Sequence, residues 1–222
     1  MCGRFARIYS RGKLMEKYRL KMVELLEDRY NIAPQQPVAA VRATEAGNEL
    51  VLLRWGLIPS WSKDAKIGYK LTNARSETVA EKPSFRSAFK QRRCIIPASG
   101  FYEWKREAKH KQPFYIHPRD EEELFSFAGL WERWHDSEGE EIESCTILTT
   151  TANELMQPIH DRMPVILDSE GEKEWLNPRS APDSLRAVLV PFASDQMEAY
   201  AVELYVNNAK DQGPKCIEPK VA

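Results

Sequence analysis

The chain has 222 residues, 42% of them hydrophobic, which is enough for a globular protein with a buried core. Lysine and arginine total 32 against 33 aspartates and glutamates, and this formal net charge of −1 excludes a nucleic-acid site spread over the whole surface, although a local patch stays open. The cysteines form no C-x-x-C pair and therefore indicate neither a disulfide framework nor a zinc knuckle: Cys2, Cys94, Cys145 and Cys216.

The first half of the chain is predicted to contain a helix and a β-hairpin. Its start lacks the apolar core of a secretion signal, and no run of about 18 apolar residues follows, so we expect an unsecreted protein without membrane contact. Ser10 could cap a helix that reaches about residue 28, because apolar side chains recur there at helical spacing: Met15, Tyr18, Met22, Leu25 and Leu26. Residues 30–34 are predicted to form a turn or loop, residues 38–42 and 49–55 the hairpin strands, and residues 56–70 a loop that carries Trp61.

The second half of the chain is predicted to be rich in short strands. A short basic helix is expected within residues 83–93, and a small helix near residues 172–176. Strands are expected at residues 94–98, 101–105, 114–117, 124–131, 143–150, 164–167, 185–190 and 200–206. Many short strands separated by polar turns predict one α+β domain over residues 1–222, built mainly from antiparallel sheets with a barrel-like core and a few short helices.

Cys2 follows the initiator methionine, and removal of Met1 would leave it as the first residue. It would then carry a primary amine with an ordinary pKa of about 7.7–8.0 close to a thiol with an ordinary pKa of about 8.5, so both groups would be partly nucleophilic near neutral pH. An aldehyde suits this pair, since the amine forms a Schiff base and the thiol adds to the imine carbon to close a five-membered thiazolidine. The alternative is an incidental cysteine at the second position.

Glu103 lies in a predicted strand among aromatic residues. Strand alternation places Phe101 and Glu103 on one face, and Tyr102 and Trp104 on the other. Burial among these rings would favour the neutral carboxyl and make Glu103 a candidate general acid or base. The alternative is a half-exposed strand carboxylate paired near Lys105.

His160 enters an apolar strand from a polar loop, where Asp161 and Arg162 could orient or tune its ring. An imidazole changes its charge near neutral pH and therefore suits proton transfer. The remaining histidines look like ordinary surface residues: His110, His117 and His135. No two histidines have metal-ligand spacing, so we expect neither a metal site nor another cofactor.

Polar residues alternate along the segment before the basic helix. If that segment is extended, Asn73, Arg75 and Glu77 share a face, so that Asn73 could bond a sugar hydroxyl and Arg75 a phosphate. The alternative is that they attach a loop to the core. Basic residues four apart would form a stripe on the helix beside Arg92 and Arg93, although a solvated helix face explains them equally well: Lys82, Arg86 and Lys90.

Seven stretches of the chain, in order, resemble the SOS-response-associated peptidase (SRAP) family, the bacterial and eukaryotic abasic-site processing proteins. They extend over about three-quarters of the chain: Met1-Cys2-Gly3-Arg4-Phe5, Tyr30-Asn31-Ile32-Ala33-Pro34, Trp55-Gly56-Leu57-Ile58-Pro59, Asn73-Ala74-Arg75-Ser76-Glu77-Thr78, Cys94-Ile95-Ile96-Pro97, Gly100-Phe101-Tyr102-Glu103-Trp104 and Ile159-His160-Asp161-Arg162-Met163-Pro164.

The resemblance implies roles for particular residues. Cys2 is implied as the nucleophile, Glu103 and His160 as acid/base groups, and Asn73 as the residue that positions an abasic sugar. Trp61 is implied as an aromatic wedge against a base. The residues implied to hold the DNA backbone are Arg4, Arg75, Arg86 and Thr149. Relatives can carry two adjacent tryptophans where this chain has Trp61-Ser62, which affects the stacking geometry.

The implied activity is covalent capture of abasic sites in single-stranded DNA, which shields them during replication-associated repair. The chain would act as a monomer in the cytoplasm near the nucleoid, beside replication-fork proteins, and the peptidase name would reflect removal of the residue ahead of Cys2. Glutamine amidotransferases also begin Met-Cys-Gly, but this chain has no Asn-Gly dipeptide for their oxyanion element. A non-catalytic single-strand binding module and a peptidase that acts on separate proteins are rival hypotheses.

Overall fold

Short strands dominate the secondary structure. The computed structural model describes residues 2–23, 26–107 and 111–221. The strands are β1 (Phe5–Arg7), β2 (Arg29–Ile32), β3 (Pro37–Thr44), β4 (Gly47–Trp55), β5 (Asn73–Arg75), β6 (Arg93–Ala98), β7 (Gly100–Arg106), β8 (Lys111–Pro118), β9 (Phe125–His135), β10 (Glu141–Thr151), β11 (Arg162–Pro164), β12 (Ile166–Leu167) and β13 (Met197–Ala201). The α-helices are α1 (Arg11–Tyr18), α2 (Arg86–Gln91), α3 (Ser169–Leu176) and α4 (Pro182–Ala187).

Five strands close into a barrel. β4, β3, β6, β9 and β10 are antiparallel neighbours in that order. β10 then pairs in parallel with β4, where Ser144 lies opposite Arg54, and this pairing closes the ring. The short strands β5, β11 and β12 attach to β10 and β9. Closure satisfies ladder hydrogen bonds that open sheet edges would leave unpaired.

A second, antiparallel sheet packs on this barrel, with the strand order β13-β8-β7-β1-β2. Phe5 from this sheet contacts Trp55 and Phe127 of the barrel, with ring centroids 5.3 and 6.0 Å apart. Cys2 and Phe101 belong to the same buried cluster. One core therefore joins the two sheets, which confirms the predicted α+β fold with a barrel-like core and a few short helices.

Helices cover the outer face of the barrel. Leu14 and Tyr18 of α1 and Trp175 of α3 pack with outward-facing barrel residues such as Ile95 and Leu148. Within the described part of the chain, no helix is both long and apolar enough to cross a lipid bilayer.

The first helix is shorter than predicted. The Ser10 side chain does cap it by accepting the Lys13 N–H, but the helix ends at Tyr18, not near residue 28. Arg19 adopts a left-handed conformation with φ 54°, and Leu20 then turns back into the core. The side chain of Met22 is exposed instead of lying on a buried helical face. Leu25, also part of the predicted face, lies outside the described residues.

Three other predictions about secondary structure were wrong in detail. Residues 30–34 do not form a turn or loop throughout, because β2 includes Arg29–Ile32. Residues 185–190 do not form a strand, since Pro182 begins helix α4, which buries Leu185. The last predicted strand ends at Ala201 and is followed by a 3₁₀ turn. The hairpin, the basic helix and the other strands are confirmed with small changes of their ends.

Candidate functional site

Strands β1 and β7 bring Cys2 and Glu103 together. Phe5 pairs with Phe101, and the Tyr102 N–H donates to the Arg4 carbonyl at 2.9 Å, which continues the pairing toward the start of the chain. Both candidate side chains are inside the protein, Cys2 at 0% and Glu103 at 4% exposure. The alternative of a half-exposed Glu103 is therefore wrong.

The environment of Cys2 keeps its thiol neutral. Burial raises the pKa of the Cys2 thiol, and the negative charge of Glu103 raises it further, whereas the backbone N–H of Arg4 acts in the opposite direction. The expectation of a partly ionised thiol near neutral pH concerns the chain without Met1, in which the Cys2 amine is free, and it stays a prediction. A thiolate would form only with a nearby proton acceptor.

Asn73 connects the start of the chain to the barrel. β5 pairs in parallel with β10, with Asn73 opposite Ile147, and the Asn73 Nδ2 donates to the Cys2 carbonyl at 2.9 Å. This bond identifies the other amide atom as oxygen. The Asn73 Oδ1 is buried and has no hydrogen-bond partner within the described residues. A buried acceptor is therefore available beside Cys2 for a donor from outside the protein.

His160 lies just before β11, on the other side of β10 from β5. The backbone N–H of Arg162 donates to its Nδ1 at 3.0 Å, and Asp161 Oδ1 lies 2.9 Å from the same nitrogen. These contacts suit different states, because a neutral Nδ1 accepts the N–H whereas a protonated Nδ1 binds the carboxylate. The loop therefore holds Nδ1 of His160 between a backbone donor and a carboxylate.

A clamp across β10 joins the segments that carry Asn73 and His160. The Arg162 guanidinium binds both carboxylate oxygens of Glu77, with Nη2 to Oε2 at 3.0 Å, and also donates to the Thr149 carbonyl. The Ser76 N–H donates to the same carbonyl at 2.9 Å. In the sequence, Glu77 and Arg162 stand out only as neighbours of Asn73 and His160. Each lies in one of the seven stretches that resemble the SRAP family, and this was the sequence feature that could have pointed to their pairing.

Three of the proposed DNA contacts are exposed. Arg75 and Arg86 point outward, and the Trp61 side chain is 59% exposed. The indole Nε1–H of Trp61 donates to the Pro83 carbonyl at 3.4 Å, which attaches its loop to the segment before α2. Trp61 and Arg86 therefore belong to connected parts of one surface.

The other two proposed DNA contacts, Arg4 and Thr149, are engaged inside the protein. Arg4 Nη1 donates to Asn31 Oδ1 at 2.6 Å and to the Val206 carbonyl at 2.9 Å, and its guanidinium lies 5.6 Å from the Trp104 ring centre. Burial lowers the pKa of this guanidinium. Thr149 is completely buried in β10. A phosphate contact with either side chain requires a local movement of its neighbours.

The predicted basic stripe is only partly available. Arg92 forms an ion pair with Glu132 at 2.8 Å. Arg93 is buried and donates to backbone carbonyls, including those of Trp175 and Asn177, so its role is structural. The exposed members are Lys82, Arg86 and Lys90.

The other histidines have separate environments. His117 stacks on Tyr115 and also meets Tyr200 edge-on, so it is part of an aromatic group more than a plain surface residue. His135 is exposed beside Glu141. His110 lies outside the described residues.

Two clefts lie away from Cys2. The larger, of about 1020 Å³, lies between α1 and α3 and is lined by charged residues of both signs, among them Lys17 and Glu172. The smaller, of about 420 Å³, has Leu124 and Phe192 in its lining. Neither cleft is lined by Cys2, Glu103 or Asn73. Their size alone does not make them the candidate site.

A family model described as SOS response associated peptidase (SRAP) matches residues 1–209. The chain belongs to the SRAP family. Among curated SRAP relatives, the Bacillus subtilis protein named "Abasic site processing protein YoqW" is 49% identical over 224 residues, covering 98% of this chain and 99% of the relative. The Xenopus tropicalis "Abasic site processing protein HMCES" is 35% identical over 192 residues, covering 76% of this chain and 56% of the longer relative.

The SRAP fold is also present in solved structures. A crystal structure of a Bacteroides thetaiotaomicron protein superposes with a TM-score of 0.90 at 31% identity, covering 99% of this chain and 100% of that one. A Bordetella bronchiseptica protein gives a TM-score of 0.79 at 28% identity, covering 91% of this chain and 100% of that one.

Proposed function

We propose that this chain captures abasic sites in single-stranded DNA by a covalent bond to Cys2, after Met1 has been removed, and so shields them during replication-associated repair. The observation that carries the proposal is the meeting of Cys2, Glu103 and the Asn73 amide at one place. The names of the SRAP relatives supply the substrate class.

The chemistry follows from the two nucleophiles of an N-terminal cysteine. The amine attacks the C1 aldehyde of the opened sugar, and loss of water gives an imine. The Cys2 sulfur then adds to the imine carbon, and its proton passes to the nitrogen, which closes a thiazolidine. Because burial keeps the thiol neutral, the amine attacks first and the second step needs a proton acceptor.

Glu103 is the group we assign to that proton movement. Its charge raises the pKa of the Cys2 thiol, which puts the carboxylate in the neighbourhood of the sulfur, and we assign it to accept the thiol proton and pass it to nitrogen. The same carboxyl can protonate the ring oxygen of the closed sugar and open it to the aldehyde. By microscopic reversibility, it would also serve release. His160 is proposed as the second acid/base group, moving protons at the departing water.

Asn73 is proposed to position the sugar. Its Nδ2 donates to the Cys2 carbonyl, while its buried Oδ1 remains available to accept a hydrogen bond from a sugar hydroxyl. Filling this acceptor would remove the cost of a buried unsatisfied oxygen, which is of the order of 1–3 kcal/mol. The substrate would therefore complete the hydrogen bonding that the free protein lacks at this point.

The DNA path is proposed from charge and exposed rings. Residues 54–93 contain ten lysines and arginines against three carboxylates, in a chain whose net charge is −1. We propose that Arg75 and Arg86 neutralise phosphates, while Trp61 stacks on a base. Arg4 and Thr149 join them after local movement. We further propose that the protein acts as a monomer in the cytoplasm near the nucleoid, beside replication-fork proteins. Any SRAP peptidase chemistry would be confined to the peptide bond ahead of Cys2.

The test uses Met1-free protein, an abasic single-stranded oligonucleotide and a denaturing gel. A slow-migrating protein–DNA species should form, and Cys2→Ala should abolish it. Cys2→Ser, like Cys2→Ala, keeps the amine and should give only an imine that borohydride traps. An equally stable adduct with Cys2→Ala would refute the thiazolidine. Release of glutamate from glutamine would favour an amidotransferase, and turnover of an added peptide would favour a peptidase.

A further inference from the structure

A second exposed aromatic ring lies in the same loop as Trp61. Tyr69 belongs to a 3₁₀ turn, Ala65–Lys70, and its side chain is 63% exposed. Single exposed hydrophobic residues are common and need no function. The backbone beneath Tyr69 is nevertheless held by hydrogen bonds and close packing, which an incidental surface ring would not need.

One glutamine side chain holds both the turn and a neighbouring arginine. Gln35 Nε2 donates to the Gly68 carbonyl at 3.2 Å, and Gln35 Oε1 accepts from Arg54 Nε at 3.1 Å and Nη2 at 2.8 Å. Gly68 also packs on Gly56 so closely that a Cβ on Gly68 would lie 2.6 Å from the Gly56 carbonyl oxygen. Gln35 itself has φ +73°, a conformation that only firm surroundings maintain in a residue other than glycine. The backbone beneath Tyr69 is therefore fixed.

Arg54 brings an uncompensated charge to this ring. Its guanidinium lies 5.9 Å from the Tyr69 ring centre, and its hydrogen bonds go to the neutral Gln35 amide. Arg42, which lies on the adjacent strand, instead forms ion pairs with Glu49 and Glu143. Among the described residues, no carboxylate forms an ion pair with Arg54 or with the lysines of the loop: Lys63, Lys66 and Lys70. A polyanion is the partner with complementary charge.

We propose that Tyr69 and Arg54 form a second nucleotide subsite, which binds single-stranded DNA beside the captured lesion. A base stacks on the exposed Tyr69 ring, and the adjoining phosphate binds the Arg54 guanidinium. The subsite rests on the proposed function, because the strand must also pass Cys2. Tyr69 precedes Asn73 by four residues, at most about 14 Å of extended chain, so one strand can reach both.

The test measures equilibrium binding by fluorescence anisotropy with oligonucleotides that carry a tetrahydrofuran analogue, which has no aldehyde and cannot be captured. Tyr69→Ala should weaken binding roughly 5- to 150-fold, whereas Tyr69→Phe keeps the ring and should bind like the parent. Arg54→Gln should lower the slope of log affinity against log salt by about one. Removing the nucleotides on one side of the lesion should abolish the loss of affinity caused by Tyr69→Ala. Removing the nucleotides on the other side should leave that loss unchanged.

Tyr205→Ala is the matched control, because Lys215 lies over the Tyr205 ring at 5.0 Å in another part of the protein. It should leave DNA affinity unchanged. Thermal unfolding shows which variants are folded, and Arg54→Gln provides the decision if Tyr69→Ala is not. The proposal is overturned if Tyr69→Ala binds within twofold of the parent, if Tyr69→Phe is equally defective, or if the Arg54→Gln salt slope is unchanged. The denaturing gel with true abasic DNA tests Cys2 capture separately, so the two proposals can fail independently.

Discussion

Replacing Glu77 by glutamine tests the clamp that joins β5 to the His160 segment. The change keeps the shape of the side chain but removes the charge that binds both nitrogens of the Arg162 fork. Hydrogen bonds to charged groups contribute about 1.5–3 kcal/mol when they are well enclosed. The Glu77 side chain is 47% exposed and that of Arg162 is 11% exposed, so solvent screening lowers our expectation to about 1 kcal/mol. For a chain of this size, the melting temperature should fall by roughly 2–4 °C.

The same variant should show a defined pH dependence. The Arg162 hydrogen bond lowers the pKa of the Glu77 carboxyl below its ordinary value. The folded pKa is thus below the unfolded one, so the stabilisation is complete above the unfolded pKa and is lost as the pH falls through the folded pKa. The stability difference between the parent and Glu77→Gln should therefore disappear in acid.

Calorimetry of the parent, Glu77→Gln and Glu170→Gln over a pH series measures both effects. Glu170 forms an exposed pair with Lys173 on helix α3, with side chains 82% and 61% exposed, and its replacement should cost at most about 0.5 kcal/mol. An equal loss in the two variants, or a Glu77→Gln deficit that persists in acid, would refute the reasoning. Because Arg162 also donates its N–H to His160, Glu77→Gln should in addition slow adduct formation at saturating DNA.

Three further outcomes concern the proposed site. Glu103→Gln should slow adduct formation and reversal together without weakening DNA binding, and unchanged rates in a gel time course would remove Glu103 from the mechanism. His160→Ala should impair capture more than binding, with a defect that varies with pH, and a rate profile parallel to that of the parent would assign His160 a structural role. Trp61→Ala should weaken single-strand binding by about 1–3 kcal/mol, and Arg75→Ala should flatten the salt dependence of binding. A duplex with the same lesion should bind more weakly, because its bases must first unstack. Titrations at two salt concentrations that show equal affinity for the single strand and the duplex would contradict this.

The strand pattern could be predicted from the sequence because alternation is a local property. β7 follows it closely, with Phe101 in the barrel core and Tyr102 in a cluster on the other side of the sheet. The end of α1 could not be predicted in this way. The helical spacing of apolar residues continues past Tyr18, but burial of Leu20 and Val23 against distant parts of the core turns the chain at that point.

The residues of the candidate site could be named from ordered motifs, whereas their environments could not be predicted. Arg4 looks like a free cation in the sequence, yet its partner carbonyl belongs to Val206, 202 residues away. The burial of Cys2 likewise depends on packing between two sheets. Such contacts are long-range, so no window of sequence contains them. The family resemblance supplied roles for these positions, but it did not show that the thiol is neutral or that Asn73 Oδ1 lacks a partner within the described residues.

The availability of the basic residues also depends on the fold. A count over the sequence treats every arginine alike, but Arg93 donates its hydrogen bonds to backbone carbonyls and Arg92 forms an ion pair with Glu132. The cations that remain available in residues 54–93 accompany two exposed rings, Trp61 and Tyr69. A duplex offers phosphates but no free base face, so it would engage the charges and leave both rings uncovered. A single strand would satisfy charge and rings together, and this distribution supports the proposal that the protein binds single-stranded DNA although the net charge of the chain is close to zero.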